Sequence, residues 1–229
     1  MNILITGVSS GLGQSLMRAF IKKGDSVFGL SRNKVDECHH VCCDLADLNL
    51  IEEKLNQLLV DIRQIDIVIL NAGILGDIKT IDNWTIADLN EIMNINVWSN
   101  KVILDWLLKN KKISQVIAIS SGASIHTYKG WSGYSLSKTA LKMLMEIYSK
   151  DFEGGQFISV APGLVDTPMQ DYLCNKVNEK QYPVTKKFIA ARKDGSMKSP
   201  DKIAEKFIEH LPKFKNLENG SYIDFRDIT

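Results

Sequence analysis

The sequence predicts an α/β protein built on a parallel sheet, and three observations predict it. Short apolar runs recur along the chain and end in small polar residues or glycine, as buried parallel strands do where they open into loops. Between them lie segments whose apolar residues repeat with a helical period, so strands and helices alternate as crossover units. The first such unit turns on glycines. Asn2 to Ile5 leads into Thr6-Gly7-Val8-Ser9-Ser10-Gly11-Leu12-Gly13, after which Leu16, Ala19 and Phe20 mark a helix.

That strand, glycine turn and helix carry a binding expectation. Glycines let the backbone approach a pyrophosphate closely, and the helix start offers free N–H groups and a positive dipole end. Gly7, Ser9, Ser10, Gly11, Leu12 and Gly13 are therefore expected to hold a dinucleotide, although a simple tight turn would also use glycine here. A second strand, Ser26 to Leu30, ends in Ser31-Arg32. An acidic residue at this place would grip a ribose 2′-hydroxyl; Ser31 and Arg32 instead suit a 2′-phosphate, with a solvated loop arginine as the plainer alternative. Too few residues separate this strand from the next, around His39 to Cys43, for a crossover helix, so the adenine side of the pocket is expected to be open.

Asp44-Leu45 ends the third strand, where Asp44 can accept from an adenine amino group or cap the loop. A helix is expected over 48–62, then a fourth strand, Ile65 to Leu70, stopped by Asn71-Ala72-Gly73, with Asn71 tying the strand end. The segment 86–108 is helical in pattern yet carries Asn94, Asn96, Ser99 and Asn100, poor interior helix formers that predict a kink, a bound water or a polar outer face. Gln156 to Val160 is a strand that Pro162 and Gly163 stop sharply. From Gln170 to Lys198 the periodicity weakens, as in a lid or substrate loop. A last helix, 203–211, has Ser199 as its N-cap and Pro200 at its first position, and Asn219-Gly220 turns into a final strand, Tyr222 to Phe225.

The chemistry is concentrated between Ser120 and Lys138. Val116 to Ile119 is a strand that places Ser121 at its carboxyl end. Lys138 follows Tyr134 by four residues, so phenol and ammonium share one helix face about one turn apart. A phenol of pKa about 10 is almost wholly protonated at neutral pH, and a nearby ammonium favours its anion. The pair can exchange a proton with a carbonyl or alcohol oxygen, and Ser121 can orient that oxygen.

With 229 residues, 45% of them apolar, the chain suits a single domain over 1–229. Its net charge of +1, with both signs interspersed, advertises no surface for nucleic acid. No apolar run is long enough for a membrane span, and Met1-Asn2 runs into the first strand without a basic leader, so a cytoplasmic location is expected. The four cysteines form no paired framework, in keeping with a reducing compartment. Cys38-His39-His40-Val41-Cys42-Cys43 looks metal-like, but strand alternation would send these side chains to opposite faces, and no metal is expected.

Thr6-Gly7-x-x-x-Gly11-x-Gly13, Asn71-Ala72-Gly73, Ser121, Tyr134-x-x-x-Lys138 and Pro162-Gly163, in this order over nearly the whole chain, resemble the short-chain dehydrogenases/reductases. The resemblance implies a Rossmann-type, doubly wound, seven-stranded parallel sheet. It also implies that Ser121 orients the carbonyl, that Tyr134 is the acid/base, and that Lys138 lowers its pKa and holds the nicotinamide ribose. By the same resemblance Asn96 holds a proton-relay water, Val165 and Thr167 meet the nicotinamide amide, and the protein is a homodimer or homotetramer. Lys129-Gly130-Trp131, Asp166-Thr167-x-Met169-Gln170 and Gly220-Ser221-Tyr222-Ile223-Asp224-Phe225-Arg226-Asp227 are similar to the sepiapterin reductase and bacterial benzil reductase branch. This implies substrate contacts from Trp131 and from Asp224, whose carboxylate would grip a pterin edge; an exposed sheet-end residue is the alternative for Asp224.

These readings converge on an NADP(H)-dependent carbonyl reductase acting on a small-molecule ketone or diketone. A dinucleotide sensor without turnover is the alternative from another class, because a fold does not fix a function. Intact Ser121, Tyr134 and Lys138 argue against it. Nucleotide-sugar epimerases share the tyrosine and lysine but carry a larger substrate domain, for which 229 residues leave no room.

Overall fold

In the computed structural model, which describes residues 1–227, seven strands form one sheet. They are β1 (Asn2–Thr6), β2 (Ser26–Ser31), β3 (His39–Cys42), β4 (Gln64–Leu70), β5 (Lys112–Ile119), β6 (Gln156–Ala161) and β7 (Tyr222–Asp224). Their order is β3-β2-β1-β4-β5-β6-β7, and every pairing is parallel. The expected doubly wound sheet is present. The chain winds outward from β1 through β2 to β3, then returns to lay β4 on the other side of β1. Connections leaving β1 and β4 thus run opposite ways, and a crevice opens between their carboxyl ends.

Helices cover both faces, which is why the strands read as continuous apolar runs. On one face α1 (Gly11–Lys22) and α8 (Pro200–Phe214) bury Leu16, Met17, Phe20, Ile203, Phe207 and Phe214 against Ile3, Ile5 and Ile117. On the other, α2 (Ile51–Leu58), α4 (Ser99–Asn110) and α5 (Ser132–Asp151) bury Leu55, Leu104, Leu141 and Met145 against Leu4, Val68 and Val116. Ser199 caps α8 by accepting from the Lys202 N–H, with Pro200 at the first position, as its sequence predicts.

The asparagine-rich segment divides into α3 (Ile86–Met93), a π-helical turn (Asn94–Trp98) and α4. The kink expected there is this π turn, and its cause is Asn96. Fully buried, Asn96 donates from Nδ2 to the Ile74 carbonyl at 2.9 Å and to Ser137 Oγ at 2.9 Å, while Oδ1 accepts from the Ile74 N–H at 2.8 Å. The turn lets the helix present one side chain to two elements at once. Two expectations need correction. α2 is shorter than 48–62, because residues 44–50 form turns closed by Asp44 and Asp47 side chains. The segment 170–198 is not an irregular loop: it folds into α6 (Pro168–Asn175) and α7 (Thr185–Lys193). Both helices have only about two turns and carry scattered charge, too little to show a period.

Candidate active site

A cleft of about 600 Å³ runs along the carboxyl ends of the strands and passes the crevice between β1 and β4. Its first wall is the glycine turn. Gly7 (φ +76°) and Gly11 (φ +56°) take left-handed backbone that a side chain would strain. Ser10, the N-cap of α1, places no side-chain oxygen on the first-turn N–H groups, so these donors and the positive helix end remain for an anion. Gly13 does not line the cleft. A Cβ there would stand 2.2 Å from the Gly7 carbonyl oxygen and 2.4 Å from Asn71 Nδ2, so Gly13 is the residue that lets α1 pack onto the turn.

Asn71 closes the crevice floor: its Nδ2 donates to the Thr6 carbonyl at 2.9 Å, and Thr6 Oγ1 accepts from the Asn71 and Ala72 N–H groups at 3.0 Å each. Ser31, Arg32, Asp44 and Leu45 line the cleft where β2 and β3 stop, and Ala72 and Gly73 line it just beyond β4. Ser31 is buried, and its hydroxyl donates to the Asn33 carbonyl and meets His40 Nε2 at 2.8 Å. Arg32 is exposed and has no ion-pair partner among the described residues, so the free cation at this end is Arg32 alone. Asp44 caps its own loop through the Ala46 N–H at 3.0 Å. No helix separates β2 from β3, as the short spacing predicts. Free first-turn donors and left-handed glycines fit a nicotinamide dinucleotide along this cleft.

The reactive groups meet at the middle of the cleft. Just beyond β5 stands Ser121, whose Oγ accepts from the Ala123 N–H at 3.1 Å and which lines the cleft together with Tyr134 on α5. Burial pushes the Tyr134 phenol up to about 12, partly offset by Ser121. Lys138 is 4% exposed; its Nζ donates to the Ile119 carbonyl at 2.8 Å and lies 5.8 Å from the Tyr134 ring centre. Burial pushes this ammonium down to about 8. The shift expected of the phenol was downward. In the chain by itself desolvation outweighs the lysine, which is held by a carbonyl and faces the ring. Asn96 does not line the cleft but stands behind it. A Cβ on Gly73 would lie 3.1 Å from Asn96 Oδ1 and 3.5 Å from Lys138 Nζ, so Gly73 keeps this passage clear. The Asn96 backbone carbonyl accepts from Asn100 Nδ2 at 2.9 Å.

Beyond Tyr134 the walls turn apolar. Trp131 packs its ring 5.7 Å from Tyr134, 5.6 Å from Phe188 and 5.7 Å from Tyr128, centre to centre. α6 and α7 close this end with Met169, Leu173, Val184 and Phe188. Arg192 ties the two helices together through ion pairs with Asp166 and Asp171. Val165 bridges to Lys198, and Pro162, Gly163, Val165 and Thr167 line the cleft where they were expected. Asp224 lines it too, but both its oxygens accept from Arg226, from Nε at 2.8 Å and Nη2 at 2.6 Å. Arg226, Tyr128, Leu173, Val184, Lys187 and Phe188 are among the lining residues that sequence reasoning missed. For Arg226 the acid-x-base spacing at a strand end was the available signal. No three His, Cys, Asp or Glu side chains converge on a metal position among the described residues. His39 stacks on Phe28 and His40 bonds Ser31, so the cysteine-histidine run splits across the strand.

With this geometry in place, comparison with known proteins identifies the class. Residues 1–178 match the family model for short chain dehydrogenase, and the chain belongs to that family of oxidoreductases, which use a nicotinamide dinucleotide on CH–OH and C=O groups. Among individual relatives, it is 32% identical to a benzil reductase ((S)-benzoin forming) of Bacillus subtilis, over 98% of each chain. It is 29% identical to a benzil reductase ((S)-benzoin forming) of Saccharomyces cerevisiae, over 73% of each. The solved structure of the Saccharomyces cerevisiae short chain dehydrogenase/reductase YIR035C superposes with a TM-score of 0.88 at 23% identity, covering 99% of this chain and 96% of that one. Among the described residues no helix is long and apolar enough to cross a membrane.

Proposed function

We propose that the protein is an NADPH-dependent carbonyl reductase that converts a ketone or diketone to the hydroxy compound, with Tyr134 as general acid. The observation that carries this reading is the convergence of Ser121, Tyr134 and buried Lys138 on one cleft, beside an aromatic-walled chamber. The benzil reductases among its relatives support a diketone as substrate. Arg32, unpaired and with no acid at Ser31, supports NADPH.

Gly7, Ser9, Ser10, Gly11 and Leu12 would hold the pyrophosphate, Arg32 the 2′-phosphate, Asp44 and Leu45 the adenine, and Val165 and Thr167 the carboxamide. Bound there, the reduced nicotinamide supplies the hydride. Ser121 donates to the substrate oxygen and fixes it beside Tyr134. Tyr134, held protonated by burial with a pKa of about 12, gives its proton to that oxygen as negative charge develops. Lys138, with a pKa of about 8, is mostly protonated at neutral pH and lies close enough to restore the phenol proton through a water or a ribose hydroxyl. Trp131, Phe188 and the α6–α7 cover exclude bulk water.

A reducing, cytoplasmic setting belongs to the same reading and is supported by four free cysteines. Self-association belongs to it as well, supported by Leu136, Met143 and Ile147, three half-exposed apolar side chains on α5. NADPH oxidation against a panel of aromatic diketones, simple ketones and pterins tests the proposal. Turnover of diketones with NADPH is the expected result. Dinucleotide binding without turnover of any carbonyl would overturn it in favour of a sensor.

A further inference from the structure

Asp224 and Arg226 both line the substrate side of the cleft, yet they differ sharply in exposure. The Asp224 side chain is 6% exposed and that of Arg226 68%. Three donors of one residue hold the carboxylate: Arg226 Nε at 2.8 Å, Nη2 at 2.6 Å and the backbone N–H at 2.9 Å. A fork of this kind fixes the guanidinium plane. The Nη1 group has no partner among the described residues. The arginine stem lies over Gly163, its Cγ 3.8 Å from where a Cβ would be, and its Nη2 lies 3.9 Å from the corresponding point on Gly122. Gly122 directly follows Ser121. A rigid, outward cation therefore stands one residue from the hydroxyl that orients the reacting oxygen.

Its surroundings define what it can bind. Among the described residues that line this end of the cleft, the one carboxylate is Asp224, already covered by Arg226, and Lys187 of α7, also exposed, is a further charged residue on the substrate side. A donor-rich ligand edge, such as a pterin's, would need the carboxylate that the arginine occupies. An oxygen acceptor meets free N–H groups at once. We infer that Arg226, locked in place by Asp224, binds the second oxygen of a vicinal dicarbonyl, so the enzyme favours 1,2-diketones and 2-oxo acids over simple ketones. This deepens the carbonyl-reductase reading and rests on it. Asp224 is then a positioning residue that acts through Arg226.

The test uses three probes: benzil, deoxybenzoin, in which a methylene replaces the second carbonyl, and benzoylformate, in which a carboxylate replaces one benzoyl group. Steady-state constants with NADPH, and dissociation constants with NADP⁺ read from quenching of intrinsic tryptophan fluorescence, are measured for the unmodified protein, Arg226→Ala, Arg226→Lys and Asp224→Asn. Losing a charged hydrogen bond costs roughly ten- to a hundredfold in affinity. Arg226→Ala should therefore weaken benzil and benzoylformate by roughly that factor more than deoxybenzoin, chiefly in KM. Asp224→Asn should produce a smaller loss of the same pattern, and Arg226→Lys should recover benzoylformate better than benzil, because a point charge serves a carboxylate.

Arg226 is exposed, so its variants keep the fold, which melting curves check. Equal effects of Arg226→Ala on all three probes would overturn the anchor while leaving the reductase standing. Selective binding of the dicarbonyls without turnover would do the reverse. If benzil and benzoylformate neither bind nor react in the unmodified protein, both readings fall.

Discussion

Replacing Lys138 by methionine should change how stability depends on pH, because burial alone sets the lysine's titration. Its ammonium is 4% exposed, donates to the Ile119 carbonyl, and has a pKa of about 8 against 10.5 for a free lysine. Between these values the unfolded chain binds a proton that the folded chain does not, so stability rises with pH. The penalty for burying the charge is fully present below about pH 8 and is relieved as the pH approaches 10.5. At about 1.4 kcal/mol per pKa unit, the full range is worth roughly 3 kcal/mol. Tyr134 limits the usable window: its pKa of about 12 lies above the free value of 10, so it lowers stability only above pH 10. Methionine keeps the stem and cannot titrate. Urea denaturation at pH 7, 8, 9 and 10, without dinucleotide, should show the unmodified protein gaining about 2 kcal/mol on Lys138→Met across that span. Parallel curves, agreeing within about 0.5 kcal/mol at every pH, would mean that the lysine is hydrated when the cleft is empty, and the argument from burial would fail.

Three further perturbations test the site. Tyr134→Phe should leave the NADPH dissociation constant within a few-fold of normal while turnover of benzil falls by about 10²–10⁴; reduction at the normal rate would assign the acid elsewhere. Arg32→Ala should cut the ratio of kcat/KM for NADPH over NADH by roughly ten- to a hundredfold, the worth of a charge-assisted hydrogen bond. Equal efficiencies with the two dinucleotides in the unmodified protein would remove Arg32 from the cofactor site. Gly13→Ala places a Cβ 2.2 Å from the Gly7 carbonyl oxygen, so α1 must retreat from the turn. A loss of roughly 1–3 kcal/mol of stability is expected, with weakened dinucleotide binding; an unchanged melting temperature would show that the turn can yield.

The parts of the fold that could be read from the sequence are those fixed by neighbours along the chain. Every strand except β3, His39–Cys42, announced itself by an apolar run, and the glycine turn by residues that only a left-handed backbone or a close approach requires, as Gly7 and Gly13 show. Asn94 and Asn96 marked an irregularity, but its form as a π turn depends on Asn96 reaching Ile74 and Ser137, contacts 22 and 41 residues away. α6 and α7 escaped notice for a related reason. They are held by Arg192 across two aspartates and by packing of Leu173 and Phe188 on Trp131 and Tyr134, none of which leaves a local period.

The same division runs through the site, and it explains why proton affinities were harder to read than positions. The spacing of Tyr134 and Lys138 is helical geometry and placed both groups correctly in one cleft. The sign of their pKa shifts is set instead by what buries them, and burial comes from elements distant in sequence, such as Leu173 and Phe188 beside Tyr134. A lysine turned to the Ile119 carbonyl lends its neighbour little, so the phenol stays a strong holder of its proton and the site rests as a donor. Asp224 repeats the lesson with opposite charge. Its position at the end of β7 was correct, yet its capacity to bind a ligand depends on Arg226, two residues on, which covers both oxygens. The Asp224 side chain is 6% exposed and that of Arg226 68%, so the guanidinium is the member of the pair open to a ligand.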